Sequence, residues 1–238
     1  GTLGVVLSAS FRLYPLPADS RTLLCAAPEP EPLFEAVHAI TASTLTPVAI
    51  DVLGPDGEGR SCRLAVRFQS RVERSGAEQI ATLRTLLGTL ADGAEILHGP
   101  TEADFWQALD SVESPKGQAS WLDARVTLLP GELARWLAAL QSAAIEHALA
   151  LHWRAHAGHG AIRAHLAGQP EALVDTVQAL RQAAEAARGA LVVEEYAPAL
   201  AGRIDPWGTP AALDLMQRVK AQFDPHNTLN PGRFVGGI

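Results

Sequence analysis

Residues 22–53 read T-L-L-C-A-A-P-E-P-E-P-L-F-E-A-V-H-A-I-T-A-S-T-L-T-P-V-A-I-D-V-L, and this stretch decides the fold. Residues 22–27 are an apolar, strand-prone run. Residues 31–43 place Leu33, Val37 and Ile40 on one helical face, and 47–53 return as a strand. Glu29-Pro30-Glu31-Pro32 suits a helix start, where a missing N–H costs nothing and acid meets the positive end of the dipole. G-P-D-G-E-G at 54–59 is a hairpin turn, after which 62–69 turns Cys62, Leu64, Val66 and Phe68 to one face. A helix over 73–90, amphipathic through Ile80, Leu83, Leu87 and Leu90, and a short strand at 94–98 complete the order β-α-β-β-α-β.

A helix from about Thr101, whose hydroxyl suits a first-turn cap, to Ser111 and the loop S-P-K-G-Q at 114–118 lead to a second copy of that order. It comprises a strand at 121–129, a helix at 130–142, a strand at 147–156 and a turn at 157–160. A strand at 161–167, a helix at 169–188 and a strand at 191–196 follow. The expected fold class is α+β: a tandem ferredoxin-like antiparallel sheet, β-α-β-β-α-β twice, with helices on one side. A single irregular α+β domain is the alternative.

The chain has 238 residues, 47% of them hydrophobic, enough for a sizeable core. Its formal charge of -7 opposes non-specific binding to nucleic acid or anionic membrane. Cys25 and Cys62 lie in apolar runs without disulfide or metal-knuckle spacing, and read as buried thiols of a reducing compartment. No apolar run approaches the roughly 20 residues that span a bilayer. A cytoplasmic location is expected, at the inner face of a membrane only through partner subunits.

The two ends are distinctive. G-T-L-G-V-V-L-S-A-S-F-R-L-Y-P opens the chain as an expected strand, with Val5, Leu7, Ala9, Phe11 and Leu13 alternating toward partner strands that would lie upstream of Gly1. Pro15, Pro17 and Asp19 make a stiff connection after it. F-D-P-H-N-T-L-N-P-G-R-F at 223–234 must leave the helix that precedes it, because residues before proline disfavour helix. It reads either as a plain helix stop or as a tail docked on a surface.

The hairpin over 147–165 carries the most chemistry. Alternation puts Leu149, Leu151 and Trp153 on one face and His152, Arg154 and His156 on the other, joined by Arg163 and His165. The set His152, Arg154, His156 and Arg163 is the candidate substrate-facing patch, since guanidinium grips a carboxylate and imidazole exchanges protons near neutral pH. A solvated sheet face explains the same pattern. Four histidines, His152, His156, His159 and His165, raise a metal reading, but strand geometry spreads them apart and the hairpin holds no carboxylate. No metal is expected.

The opening stretch, the turn H-A-G-H-G-A-I-R and the ending F-D-P-H-N-T-L-N-P-G-R-F together resemble the C-terminal region of FAD-linked oxidases of the vanillyl-alcohol-oxidase (PCMH) type. The resemblance is closest to the FAD-binding E subunit of bacterial glycolate oxidase. It implies that 1–16 is the last piece of an FAD domain and 17–197 a cap with halves at about 21–98 and 120–197. Residues 198–238 would be a helix and tail returning to the FAD domain. It also implies cofactor contacts at Gly4, Val5, Val6 and Asn230, and an FAD pyrophosphate loop upstream of Gly1. FAD is then expected in the full-length protein and not on this chain alone, and a tail that has lost its docking surface is expected to be disordered after Phe223.

Relatives that oxidise 2-hydroxy acids carry H-x-G-D-G-N-x-H in the turn and a later E-H-G. Here His156 matches the first His, while His159, Ala161 and Arg163 replace the Asp, Asn and last His, and the later motif reads Glu195-Tyr196-Ala197. A guanidinium in place of a ligand repels a divalent ion, so the resemblance implies an electron-relaying subunit working with sister flavoprotein and iron-sulfur subunits. A stand-alone FAD-dependent 2-hydroxy acid dehydrogenase with a His/Arg carboxylate site is one alternative. A non-catalytic ferredoxin-like binding module is the other. Trp207 reads as an anchor under a loop or a contact for cofactor or partner.

Overall fold

The computed structural model describes residues 1–55, 61–110, 120–210 and 212–238. The chain forms two compact units, one from Leu16–Ile204 and one from Gly1–Pro15 with Asp205–Ile238.

In the larger unit, β1 (Asp19–Ala27), α1 (Glu31–Thr41), β2 (Ala49–Leu53), β3 (Cys62–Ser70), α2 (Glu73–Leu87) and β4 (Glu95–His98) form the first half. After α3 (Gly99–Asp110), the second half is β5 (Trp121–Thr127), α4 (Leu133–Glu146), β6 (Ala150–His156), β7 (Ala161–Ala167), α5 (Pro170–Ala186) and β8 (Ala190–Tyr196). The eight strands of the described residues join one antiparallel sheet, ordered β4-β1-β3-β2-β6-β7-β5-β8. The halves meet where β2 pairs with β6, at Asp51 opposite His156, Val52 opposite Ala155 and Leu53 opposite Arg154. This seam is short, so side chains beside it matter.

Alternation sends Leu23, Leu64, Val66, Phe68, Val52, Ala155, Ile162, Leu166, Leu122 and Val126 into one core, where all are essentially inaccessible. Burying each large side chain is worth about 1.5–3 kcal/mol. α1, α2, α4 and α5 cover this face through Leu33, Val37, Leu83, Leu137, Leu140, Leu173 and Leu180. Both long helices of the second half end alike. Ala148 and Arg188 take left-handed φ values of 51° and 57°. The next amides, of Leu149 and Gly189, donate back to Ala144 and Ala184 at 2.8 Å. This helix-end motif satisfies terminal carbonyls and turns the chain into the next strand.

The structure corrects three expectations. Helices do not lie on one side only: α3 packs against β1 on the face opposite Leu23, contacting Thr22 and Ser20. The opening segment forms no strand, and pairs with none among the described residues. Its apolar side chains lie open, Val6 83%, Leu7 92% and Leu13 89% exposed, because alternation without a neighbouring edge supplies no ladder hydrogen bonds. The ending is not disordered after Phe223, as described below. Residues 56–59 of the expected hairpin turn, Ser111 at the expected helix end and the 114–118 loop lie outside the described residues.

In the smaller unit, α6 (Leu213–Phe223) runs into a folded ending. Asn227 and Asn230 adopt left-handed φ values of 49° and 44°, which asparagine tolerates better than most residues. Among the described residues no helix is long and apolar enough to cross a membrane.

Candidate functional site

The polar face of the sheet gathers charge by strand register. Arg154, Arg163 and Arg125 lie side by side on β6, β7 and β5. Three guanidiniums in a row repel one another, and carboxylates on the same face offset them. Asp51, 2% exposed, binds Arg154 through Nη2 at 2.6 Å and Nε at 2.8 Å, and His156 Nδ1 at 3.3 Å. Arg154 Nη1 also donates to the carbonyl of Leu109 on α3 at 3.0 Å. Glu194 meets Arg125 at 2.6 Å and Arg163 at 3.7 Å.

α3 brings a second buried group to this face. Glu102, 2% exposed, accepts hydrogen bonds from Ser20, Thr22 and Arg67 and forms an ion pair with Arg67 at 2.7 Å. Trp106 donates to Thr22 at 2.9 Å and lies beneath the guanidiniums of Arg67 and Arg154, 5.3 and 5.9 Å from its ring centre. Amphipathicity did not reveal this role, since a buried glutamate looks like any surface glutamate until its arginine partner is known.

Of the sequence-predicted patch, His152, Arg154, His156 and Arg163 do share one face, but they do not form an uncompensated cationic site. Arg154 and His156 are engaged by Asp51, Arg163 sits near Glu194 at 61% side-chain exposure, and His152 is opposite His165. His165 was placed with this set only by alternation. Its Nδ1 meets Asp123 at 2.8 Å, its ring stacks on Trp121 at 5.9 Å, and its buried Nε2 has no hydrogen-bond partner among the described residues. Asp123 was not legible from the hairpin because it arrives from β5, 42 residues away. Among the described residues no group of three or more His, Cys, Asp and Glu side chains is arranged to hold a metal ion.

The smaller unit brings together the two other predicted pieces. Asn230 Nδ2 donates to the carbonyl of Gly1 at 2.8 Å. Lys220, 8% exposed at its side chain, directs its ammonium at three oxygens: Asp224 Oδ2 at 2.6 Å, Thr2 O at 2.7 Å and Leu229 O at 2.9 Å. Asp224 also accepts from the amide and hydroxyl of Thr228 at 3.0 Å each and from the Leu229 amide at 2.8 Å. Lys220, then these backbone amides, holds its carboxyl well below the usual carboxylate range. Trp207 packs edge-on against Phe234 at 5.0 Å, the anchoring role of the two read from sequence. Gly4 faces open space, and Val5 and Val6 are exposed, so the backbone there is free to approach a ligand closely.

Residues 207–234 match the family model described as FAD linked oxidases, C-terminal domain. The tail thus carries the signature of the FAD-linked oxidases, the family that the sequence resembles. A D-2-hydroxyglutarate dehydrogenase of Xanthomonas citri pv. viticola is 24% identical over 262 residues, covering 98% of this chain and 55% of that protein. Among solved structures, an alkyldihydroxyacetonephosphate synthase has a TM-score of 0.68 at 14% identity, over 97% of this chain and 47% of its own. A p-cresol methylhydroxylase with substrate bound has a TM-score of 0.60 at 13% identity, over 91% and 53%. The chain spans about half the length of these relatives.

Proposed function

We propose that this chain is the cap and C-terminal part of a flavoprotein subunit resembling the glycolate oxidase E subunit, which holds FAD and relays electrons from 2-hydroxy acid oxidation. The observation that carries the reading is the match of residues 207–234 to the FAD-linked oxidase C-terminal domain. The likeness of 98% of the chain to a D-2-hydroxyglutarate dehydrogenase supports the substrate class. In this reading each half of the large sheet is a ferredoxin-like unit of the cap, and 1–16 and 198–238 belong with the FAD-binding part. Sister flavoprotein and iron-sulfur subunits complete the assembly, on the cytoplasmic side.

FAD, when bound, supplies hydride acceptance and electron transfer. The donors here suit it: exposed backbone at Gly4, Val5 and Val6 and the side-chain amide of Asn230, held beside the opening segment. The relay role is favoured over direct oxidation by the charge pairing on the sheet face. Arg154 and His156 already serve Asp51, and Arg125 and Arg163 already face Glu194, so a substrate carboxylate would compete with built-in partners.

The test is flavin titration of the full-length protein, followed by anaerobic addition of glycolate with and without the sister subunits. Bound FAD that glycolate reduces only when the sister subunits are present is the expected result. Reduction in the isolated subunit would instead assign it the direct oxidation, and a protein that binds no flavin would sink the reading.

A further inference from the structure

We infer that Lys220 and Asp224 form a positioning clasp that holds the opening segment and the tail in the arrangement needed to bind flavin; this rests on the flavin reading above. The ammonium of Lys220 has three N–H groups and three oxygens within 2.9 Å, one from each piece to be joined: Thr2 of the opening segment, Asp224 at the end of α6, and Leu229 of the tail. Thr2 lies 218 positions from Lys220. The buried cation is therefore spent on fixing chain segments, and its side chain is 8% exposed, too enclosed to serve as a free surface charge.

Asp224 completes the device from the other side. It fixes the turn by accepting from Thr228 and Leu229 while it binds Lys220. That turn delivers Asn230 to the Gly1 carbonyl, three residues before Gly4, which faces open space. Neither Lys220 nor Asp224 touches the proposed flavin donors directly, so both are positioning residues. Losing the ammonium leaves Asp224 buried beside two uncompensated carbonyls, and the opening segment loses the Lys220–Thr2 tie while keeping that of Asn230 to Gly1.

The experiment uses full-length apoprotein, with FAD affinity read by fluorescence titration and amide hydrogen exchange read at Thr228 and Leu229. Lys220→Met is expected to weaken FAD binding at least tenfold and to speed exchange at both amides, with Lys220→Arg restoring part of each. Asp224→Asn provides the second variant should Lys220→Met fail to fold, with the same expectations. Faster exchange with wild-type FAD affinity and flavin spectrum would overturn the clasp's role while leaving the flavin reading standing. Wild-type protein without FAD binding would remove the flavin reading itself, and the two failures are thereby distinguishable.

Discussion

Replacing Asp51 with alanine tests whether the seam between the two halves depends on its carboxylate. Among the described residues three register pairs join β2 to β6, and Asp51 binds two β6 side chains, with Asp51 3% and Arg154 18% exposed at their side chains. Removing one partner of a buried ion pair costs about 3–5 kcal/mol, and partial exposure of Arg154 lets water recover some of that, leaving about 2–4 kcal/mol. With a urea slope of about 2–3 kcal/mol/M for a unit of this size, the midpoint should fall by about 1 M. Tryptophan fluorescence is a suitable probe because Trp106 lies under Arg154 and Trp153 accepts at its carbonyl from Gly54 beside the seam. Asp51→Asn, which keeps shape and an acceptor, should lose roughly half as much. A midpoint lowered by less than roughly 0.2 M in Asp51→Ala, at unchanged slope, would refute the reasoning, because the ion pairs would then contribute nothing beyond backbone pairing.

Three further outcomes are expected. Glu102→Gln should destabilise the larger unit by about 2–3 kcal/mol, seen as a lower urea midpoint and a shift in Trp106 emission, since Arg67 loses its buried counter-charge. Cys25 and Cys62, whose thiols are pushed up to about 11 by burial, should resist alkylation at pH 8 in the folded protein and react after unfolding. Asp224 titrates lower when folded than unfolded, so its contribution is full above the ordinary carboxylate pKa of about 4 and is lost as pH falls toward its folded value. Exchange protection at Thr228 and Leu229, corrected for intrinsic rates, should hold from pH 8 to pH 5 and decline below about pH 4, and Asp224→Asn should remove that acid-dependent decline.

Local pattern determined much of this protein. The order of strands and helices in both halves follows from period-two and period-3.6 spacing, and the core positions Leu23, Leu64, Val66, Phe68, Ile162 and Leu166 are all buried as alternation requires. The ending was legible as a fixed turn from its prolines and asparagines, and its likeness to FAD-linked oxidases from its motif. The polar set of the hairpin was legible too, but its electrostatic meaning was not. Asp51 lies 103 residues from Arg154, Glu102 lies 80 from Thr22, and Lys220 reaches Thr2 across 218. Only the tertiary structure decided those pairings, and with them that the arginines are compensated, that α3 crosses to the polar face and that the two ends share one lysine. The physical reason is that side-chain alternation is local, whereas a charge's role depends on which opposite charge is folded beside it.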